Sequence, residues 1–294
     1  MSYRAVPLVI LAMLFWQSAW QTAWGEAASP TQPDRCNRSA FRVMVDVGHT
    51  AEVPGATSAR GATEYAFNLR LAKLIEQQLI AAGFTRTVLM VTAGRTHRGL
   101  FKRVARANSL PADLFLSIHH DSVPDAFKET WEYEGQEHKF CDRFPGHSIF
   151  ISNDNADRKG SLLYGRLLGA QLKARGFTYT PHYTEAFMGN RRRELVDAET
   201  GVYRYDQLIV LKHTKMPAAL LEAGSIINRE EELRLATPER QSLIGAAVTD
   251  SIVQFCAARA QHKPEPVARQ PSPPAKRIGT PAAATPQASP IKRQ

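Results

Sequence analysis

The hydrophobic pattern changes period repeatedly along the central part of the chain. Short runs of apolar, β-branched residues predict buried strands, and apolar residues three or four apart predict helices. The predicted strands are Arg42–Val47, Thr87–Thr92, Asp113–His119, Ser148–Ser152 and Ala218–Leu221. The predicted helices are Glu64–Ala82, Arg98–Asn108, Ser161–Ala174 and a last one that begins at Pro238, after the cap residue Thr237. Strands that alternate with helices predict one α/β domain, with a mostly parallel, twisted sheet of about five to six strands and helices on both faces.

The first 28 residues lack this pattern. They combine Arg4, the uncharged apolar run Val6–Trp16 and small residues up to Ala28, which is typical of a cleaved secretory signal peptide. An uncleaved membrane anchor is the alternative. In both cases we expect the protein to work outside the cytoplasm, in the periplasm or at the cell wall, with membrane contact only through this segment.

The remaining chain divides by composition. A lead-in at 29–40 precedes the predicted domain at 41–259, and a disordered tail rich in Pro, Ala and basic residues occupies 260–294. The chain has 37 Lys and Arg residues against 28 Asp and Glu, a formal net charge of +9. This charge favours an anionic surface such as cell wall or phospholipid, although a solvated spacer explains the tail equally well. We expect a monomer and no nucleic-acid partner, because no nucleic-acid-binding motif accompanies the charge.

The three cysteines lie beyond the predicted signal peptide, so an oxidising compartment would permit a disulfide. Cys36 precedes the first strand and Cys256 falls in the last helix, which favours a bridge between the two ends of the domain. Cys141 would then be free. An odd number of cysteines leaves the pairing open, and no C-x-x-C spacing indicates a thiolate metal site.

Potential metal ligands follow several of the predicted strands. His49 comes directly after the first strand, His119 ends the third, and Glu222 closes the fifth. Glu64 opens the first helix. Ligands in α/β sheets collect beyond the carboxyl ends of the strands, so these residues predict a metal site there. Because successive side chains of a strand point to opposite faces, His119 and His120 serve one site only if the strand bends there.

These residues resemble a known family, the zinc-dependent N-acetylmuramoyl-L-alanine amidases of the periplasmic AmiC type. The resemblance covers about residues 41–256 and includes Arg103 and Asn108 between its main motifs. The motifs are Gly48-His49, Gly61-Ala62-Thr63-Glu64, Ser117-Ile118-His119 and Leu221-Glu222-Ala223-Gly224. Such enzymes cut the amide bond that joins peptide to glycan in peptidoglycan.

The resemblance implies one zinc ion held by His49, Glu64 and His119, which is a known catalytic ligand set with a position left for water. It implies that Glu222 is the catalytic carboxylate, taking a proton from that water and returning it to the departing amine. We assign substrate contacts to three further residues: His120, Asn108 and Arg103. Peptidoglycan is the expected partner, together with an activator protein.

Some features depart from the family or leave alternatives open. Thr50-Ala51 replaces the usual Gly-Gly after His49, and His120-Asp121 replaces the usual Ala-Asn. Two segments, Val123–Pro145 and Tyr183–Val202, are candidates for an inhibitory helix over the site. The basic run Arg191-Arg192-Arg193 is either a solvated loop or a contact for glycan or activator. A zinc peptidase acting on stem peptides and a non-catalytic wall-binding protein are the rival functions.

Overall fold

A computed structural model describes residues 36–95 and 98–261 of the chain. The predicted signal peptide lies outside the described residues, as does all of the basic tail beyond residue 261. Within the described residues, every predicted strand and helix is present, with boundaries that differ by a few residues.

Among the described residues, nine strands form one large sheet and a separate hairpin. They are β1 (Val43–Val47), β2 (Val88–Met90), β3 (Leu114–Asp121), β4 (Glu129–Tyr133), β5 (Gln136–Phe140), β6 (Ser148–Ile151), β7 (Glu194–Asp197), β8 (Val202–Arg204) and β9 (Ala218–Ser225). The large sheet has seven strands in the order β2-β1-β3-β9-β6-β8-β7, and β4 pairs with β5. Strands β2, β1, β3 and β9 are mutually parallel, whereas β6 runs antiparallel to β9. The α/β class and the mostly parallel sheet are therefore confirmed.

In the part of the chain that the structure describes, six α-helices accompany the sheet. They are α1 (Glu64–Ala81), α2 (Arg98–Ser109), α3 (Arg158–Ala174), α4 (Ile209–Lys212), α5 (Arg229–Ala236) and α6 (Pro238–Gln261). Helices α1, α3 and α6 pack together on one face of the sheet, and α2 and α4 pack together on the other. Among the described residues only α6 is long and apolar enough to cross a membrane, and its buried face belongs to the core of the domain.

The alternation of side chains along β1 divides the core into two layers. All five residues of this strand are buried, as expected for a parallel strand covered on both faces. Val43, Val45 and Val47 belong to the cluster beneath α1, α3 and α6. Met44 belongs to the second cluster, beneath α2 and α4.

The chain reverses its direction of winding at β1. After β1 it passes through α1 to β2 on one side, and then through α2 to β3 on the other side. Since α1 and α2 lie on opposite faces, the carboxyl ends of β1 and β3 enclose a topological switch point, the usual ligand crevice of such sheets. His49 and His119 lie at this point.

The sheet has more strands than the sequence predicts, and the additional ones are short or polar. Strands β7 and β8 have four and three residues, too few for a clear alternation. The hairpin β4–β5 carries mostly exposed side chains and packs beside the sheet. The two segments considered for an inhibitory helix therefore contain a β-hairpin in one case, and 3₁₀ turns with β7 in the other.

A disulfide joins Cys36 to Cys256, the pairing that the sequence favoured, and its Cα atoms are 5.2 Å apart. Cys141 is free and buried. The bridge ties the segment before β1 to α6, where Phe41 also packs edge-to-face against Phe255. The amino-terminal entry to the sheet is thus fastened to the last helix.

Replacing both Cys36 and Cys256 by Ala should lower the free energy of unfolding by about 2–5 kcal/mol, because a long loop in the unfolded chain is no longer closed. Denaturant unfolding of the oxidised protein measures this. Reductant should destabilise the wild type and leave the double variant unchanged. Equal sensitivity of both proteins to reductant would contradict the assignment.

Candidate active site and metal centre

Three side chains from different parts of the chain meet beyond the carboxyl ends of β1 and β3. His49 Nε2 lies 3.0 Å from Glu64 Oε2, and His119 Nδ1 lies 3.0 Å from Glu64 Oε1. One ligand atom from each of the three residues lies within 4.8 Å of the others. Two imidazoles and one carboxylate are a donor set that Zn²⁺ accepts, so the residues present fit such an ion.

Two glycines allow the chain to approach this cluster closely. A Cβ atom on Gly48 would lie 2.4 Å from His119 Nε2, so a side chain there would collide with the imidazole. A Cβ atom on Gly55 would lie 2.4 Å from Glu64 Oε2, and this residue also has a φ of +79°. The loop between β1 and α1 thus closes over the cluster only because these positions lack side chains.

Glu64 is held at the start of α1, where Thr63 caps the helix by accepting a hydrogen bond from Ala66 N. The backbone N–H of Ala56 donates to Glu64 Oε2 at 3.0 Å. Burial alone would raise the pKa of Glu64, but hydrogen bonds and charge from His119 and His49 hold it well below its ordinary value. The carboxylate is therefore ionised and ready to bind a cation.

Glu222 lies beside this cluster, because β9 pairs with β3 and places Glu222 opposite His119. Its Oε2 atom is buried and has no hydrogen-bond partner among the described residues. Burial raises its pKa well above the ordinary value, and the nearby carboxylates Asp121 and Glu64 add to the effect. A carboxyl group with raised proton affinity is suited to general acid–base chemistry.

The two consecutive histidines have different surroundings, because the pairing of β3 with β9 shifts register between His119 and Asp121. His119 contacts Glu64, whereas His120 Nδ1 lies 2.7 Å from Asn68 Oδ1 on α1. Burial lowers the pKa of His120 to about 3, so its imidazole is neutral. His120 is buried but borders the same cleft as the cluster, and its predicted contact with substrate remains a prediction.

Arg103 was also predicted to touch substrate, and this remains a prediction; its side chain is directed into the protein. Its side chain is only 4% exposed and pairs with Asp46 at 3.2 Å. It donates to the carbonyl of Val47 at 2.8 Å and to that of His49, a residue with a φ of +65°. The hydroxyl of Ser117 donates to Asp46 at 2.7 Å. This network fixes the backbone that carries His49.

Asn108, the third predicted substrate contact, lies at the end of α2. It donates to the carbonyl of His213 at 2.9 Å and accepts from the N–H of Lys215 at 2.8 Å. These bonds fasten α2 to the segment that leads into β9. Asn108 does not line the cleft that contains the cluster, so its contact with substrate remains a prediction.

The sequence did not single out two other polar residues near the cluster. Asp121 is buried at the end of β3 and accepts a hydrogen bond from the hydroxyl of Tyr183 at 2.8 Å. Burial raises the pKa of Asp121 to about 7. The only available signal was an acidic residue at the end of an apolar strand, the same signal that drew attention to Glu222.

The cluster opens into a cleft of about 480 Å³ that includes Glu222, Asp121 and residues of the loops on either side. A second cavity of about 270 Å³ adjoins His49 and His119 on the side of α2 and α4, and its lining is mostly apolar. His49 and His119 therefore lie between two recesses, one polar and one apolar.

The fold and the site together are typical of metal-dependent hydrolases of the α/β class. The chain belongs to the Amidase_3 family, N-acetylmuramoyl-L-alanine amidase, whose profile matches residues 43–254. This membership confirms the expected class of activity, that of a peptidoglycan amidase.

Individual relatives agree with this assignment. The putative N-acetylmuramoyl-L-alanine amidase of Buchnera aphidicola is 22% identical over 216 residues, covering 72% of this chain and 95% of the relative. The crystal structure of the amidase Ami1 from Mycobacterium smegmatis has a TM-score of 0.56 at 18% identity, covering 74% of this chain and 97% of that one. The structure of the CwlD amidase of Clostridioides difficile, in complex with the GerS lipoprotein, has a TM-score of 0.53 at 19% identity. The match covers 74% of this chain and 99% of that one. The structural likenesses show the fold.

Replacing Arg103 by Met should lower the free energy of unfolding by about 3–5 kcal/mol, because it leaves Asp46 buried without its cation. Denaturant unfolding measures the loss. Arg106→Met, at an exposed position of the same helix, is the matched control and should change stability by less than about 0.5 kcal/mol. Similar stabilities for the two variants would show that the buried pair contributes nothing.

Proposed function

We propose that the protein hydrolyses the amide bond between N-acetylmuramic acid and L-alanine in peptidoglycan, with zinc as its cofactor. In this proposal His49, Glu64 and His119 hold the ion, and Glu222 carries protons. The observation that carries it is the cluster of three ligand atoms within 4.8 Å, with the unpartnered carboxyl oxygen of Glu222 on the adjacent strand.

The donor set supports the choice of metal. Two imidazoles with one carboxylate match catalytic zinc sites that keep one position open. When bound, zinc would polarise the amide carbonyl and lower the pKa of water. The low proton affinity of Glu64 supports its role as a ligand, since ligands bind metal in their deprotonated form.

Glu222 is suited to proton transfer rather than to ligation. Its buried surroundings raise the proton affinity of the carboxylate, so in its ionised form it is a stronger base toward the attacking water than an exposed glutamate is. The same group then protonates the departing amine of L-alanine, which lets the peptide leave as a free amine. Glu222 thereby serves as base in the first step and acid in the second.

We place this activity outside the cytoplasm, in the periplasm or at the cell wall. The Cys36–Cys256 disulfide supports an oxidising compartment, and so does the signal-peptide pattern of residues 1–28. An activator protein is the second expected partner. Its support is the structural neighbour CwlD, which is described in complex with a lipoprotein.

Digestion of purified murein, followed by mass analysis of the fragments, tests the function. An amidase releases intact stem peptides that begin with a free L-alanine amine. A stem-peptide peptidase would release shorter peptides, and a wall-binding protein would sediment with murein without releasing fragments. Either of the last two results would overturn the proposal.

Glu222→Gln should lower kcat at least about a hundredfold, because proton transfer by a positioned group contributes about 10²–10⁴-fold. Zinc binding, measured by calorimetry, should stay within a few-fold of wild type. Glu230→Gln is the matched control, since this carboxylate is exposed on α5 and pairs only with Arg234. Full turnover by the Glu222 variant would remove the residue from its proposed role.

His119→Ala should abolish tight zinc binding by the metal-depleted protein, as the ion loses one of three protein ligands. Calorimetric titration with zinc measures this directly, without reference to activity. His213→Ala, a histidine outside the cluster, should bind zinc like the wild type. An unchanged dissociation constant for the His119 variant would contradict the proposed ligand set.

Chelator should abolish murein hydrolysis by the wild type, and zinc should restore it.

A further inference from the structure

Positive side chains line one wall of the active-site cleft. Lys128 and Arg191 border the same cavity as His49, Glu64 and Glu222. Lys128 follows a 3₁₀ turn at Asp125–Phe127, and Arg191 ends the 3₁₀ segment Ala186–Arg191. Neither residue has a part in the proposed hydrolysis.

On this wall Lys128 is paired with Asp125, one of four carboxylates that line the same cleft; the others are Glu64, Asp121 and Glu222. Lys128 Nζ lies 2.8 Å from Asp125 Oδ1, but Asp125 is 89% exposed and the Lys128 side chain only 13% exposed. Hydrogen bonding and charge from Lys128 lower the pKa of Asp125, and Lys139 and Arg191 contribute to the same effect. An ion pair with an exposed partner is easily exchanged, so Lys128 is available to a competing carboxylate.

The three consecutive arginines have distinct surroundings. Arg193 stacks on the ring of Tyr205 at 3.7 Å and donates to the carbonyl of Asn190 at 2.9 Å, so it stabilises the loop. Arg192 is exposed and does not line the cleft. Arg191 is also exposed, but it lines the cleft, and its guanidinium has no hydrogen-bond or ion-pair partner within the described part of the chain.

Aromatic packing holds the two cation-bearing segments together. Phe127 and Phe187 have ring centroids 4.4 Å apart, and Phe187 also packs against Phe144 at 5.3 Å. Lys128 and Arg191 are therefore each carried by a turn that aromatic packing holds in place. A positioned pair of cations is suited to bind a carboxylate, with which a guanidinium forms two parallel hydrogen bonds.

We propose that Lys128 and Arg191 form a subsite for a carboxylate of the stem peptide and make the enzyme prefer anionic stems. The inference rests on the proposed function. The lactyl carboxyl group of muramic acid is consumed in the scissile amide, and the acetylated sugars carry no other charge. The peptide is therefore the part of the substrate that supplies a carboxylate near the cleaved bond.

Two N-acetylmuramoyl tripeptides test the subsite, one with D-glutamate as second residue and its free α-carboxylate, the other with the primary amide at that position. For the carboxylate substrate, Arg191→Gln should raise KM about tenfold with kcat within about twofold, the effect of one charge-assisted hydrogen bond. KM for the amide substrate should barely change. Arg192→Gln is the matched control and should behave like the wild type with both substrates. Arg191→Lys should recover part of the loss.

Equal effects of Arg191→Gln on both substrates, or equal effects of the Arg191 and Arg192 variants, would overturn the proposal. Calorimetry of both compounds with the Glu222→Gln protein measures binding without hydrolysis, so it tests the subsite separately from the proposed function. Tighter binding of the carboxylate compound that is lost with Arg191→Gln supports the subsite even if the wild type hydrolyses neither. Equal binding of both compounds refutes the subsite even if hydrolysis proceeds as proposed.

Discussion

The structure depends on burying four carboxylates along one edge of its sheet. Three of them have compensating partners. Asp46 has the guanidinium of Arg103, Glu64 has two imidazoles, and Asp121 has the hydroxyl of Tyr183. Glu222 has no hydrogen-bond partner for its buried oxygen among the described residues. Since burying an uncompensated charge is costly, this edge is where a divalent cation would be most strongly stabilised.

The residues at this edge could be predicted from the sequence because they interrupt its hydrophobic pattern. A polar residue at the end of an apolar strand is conspicuous, which is how His49, His119 and Glu222 were found. The motif spacing then linked them to Glu64 on α1. Short or polar strands, such as β7 and β8, leave no such signal because a period of two needs several residues to be visible.

The direction in which a side chain points was harder to predict than the place of its residue in the fold. Arg103 fits the family pattern, but only the structure shows that it reaches inward to the carbonyls of Val47 and His49. Sequence spacing likewise does not distinguish His119 from His120, because the choice depends on a register shift between β3 and β9. The run of three arginines reads as one basic patch, whereas packing against Tyr205 removes one of them from it.

The disulfide between Cys36 and Cys256 has a consequence for how the domain is presented. Cys36 lies just before the amino end of β1, whereas the catalytic cleft lies beyond the carboxyl ends of β1 and β3. Both ends of the described domain, at Cys36 and near Cys256 in α6, are therefore joined on the side away from the cleft. A tether attached to the described domain on that side would leave the mouth of the cleft open.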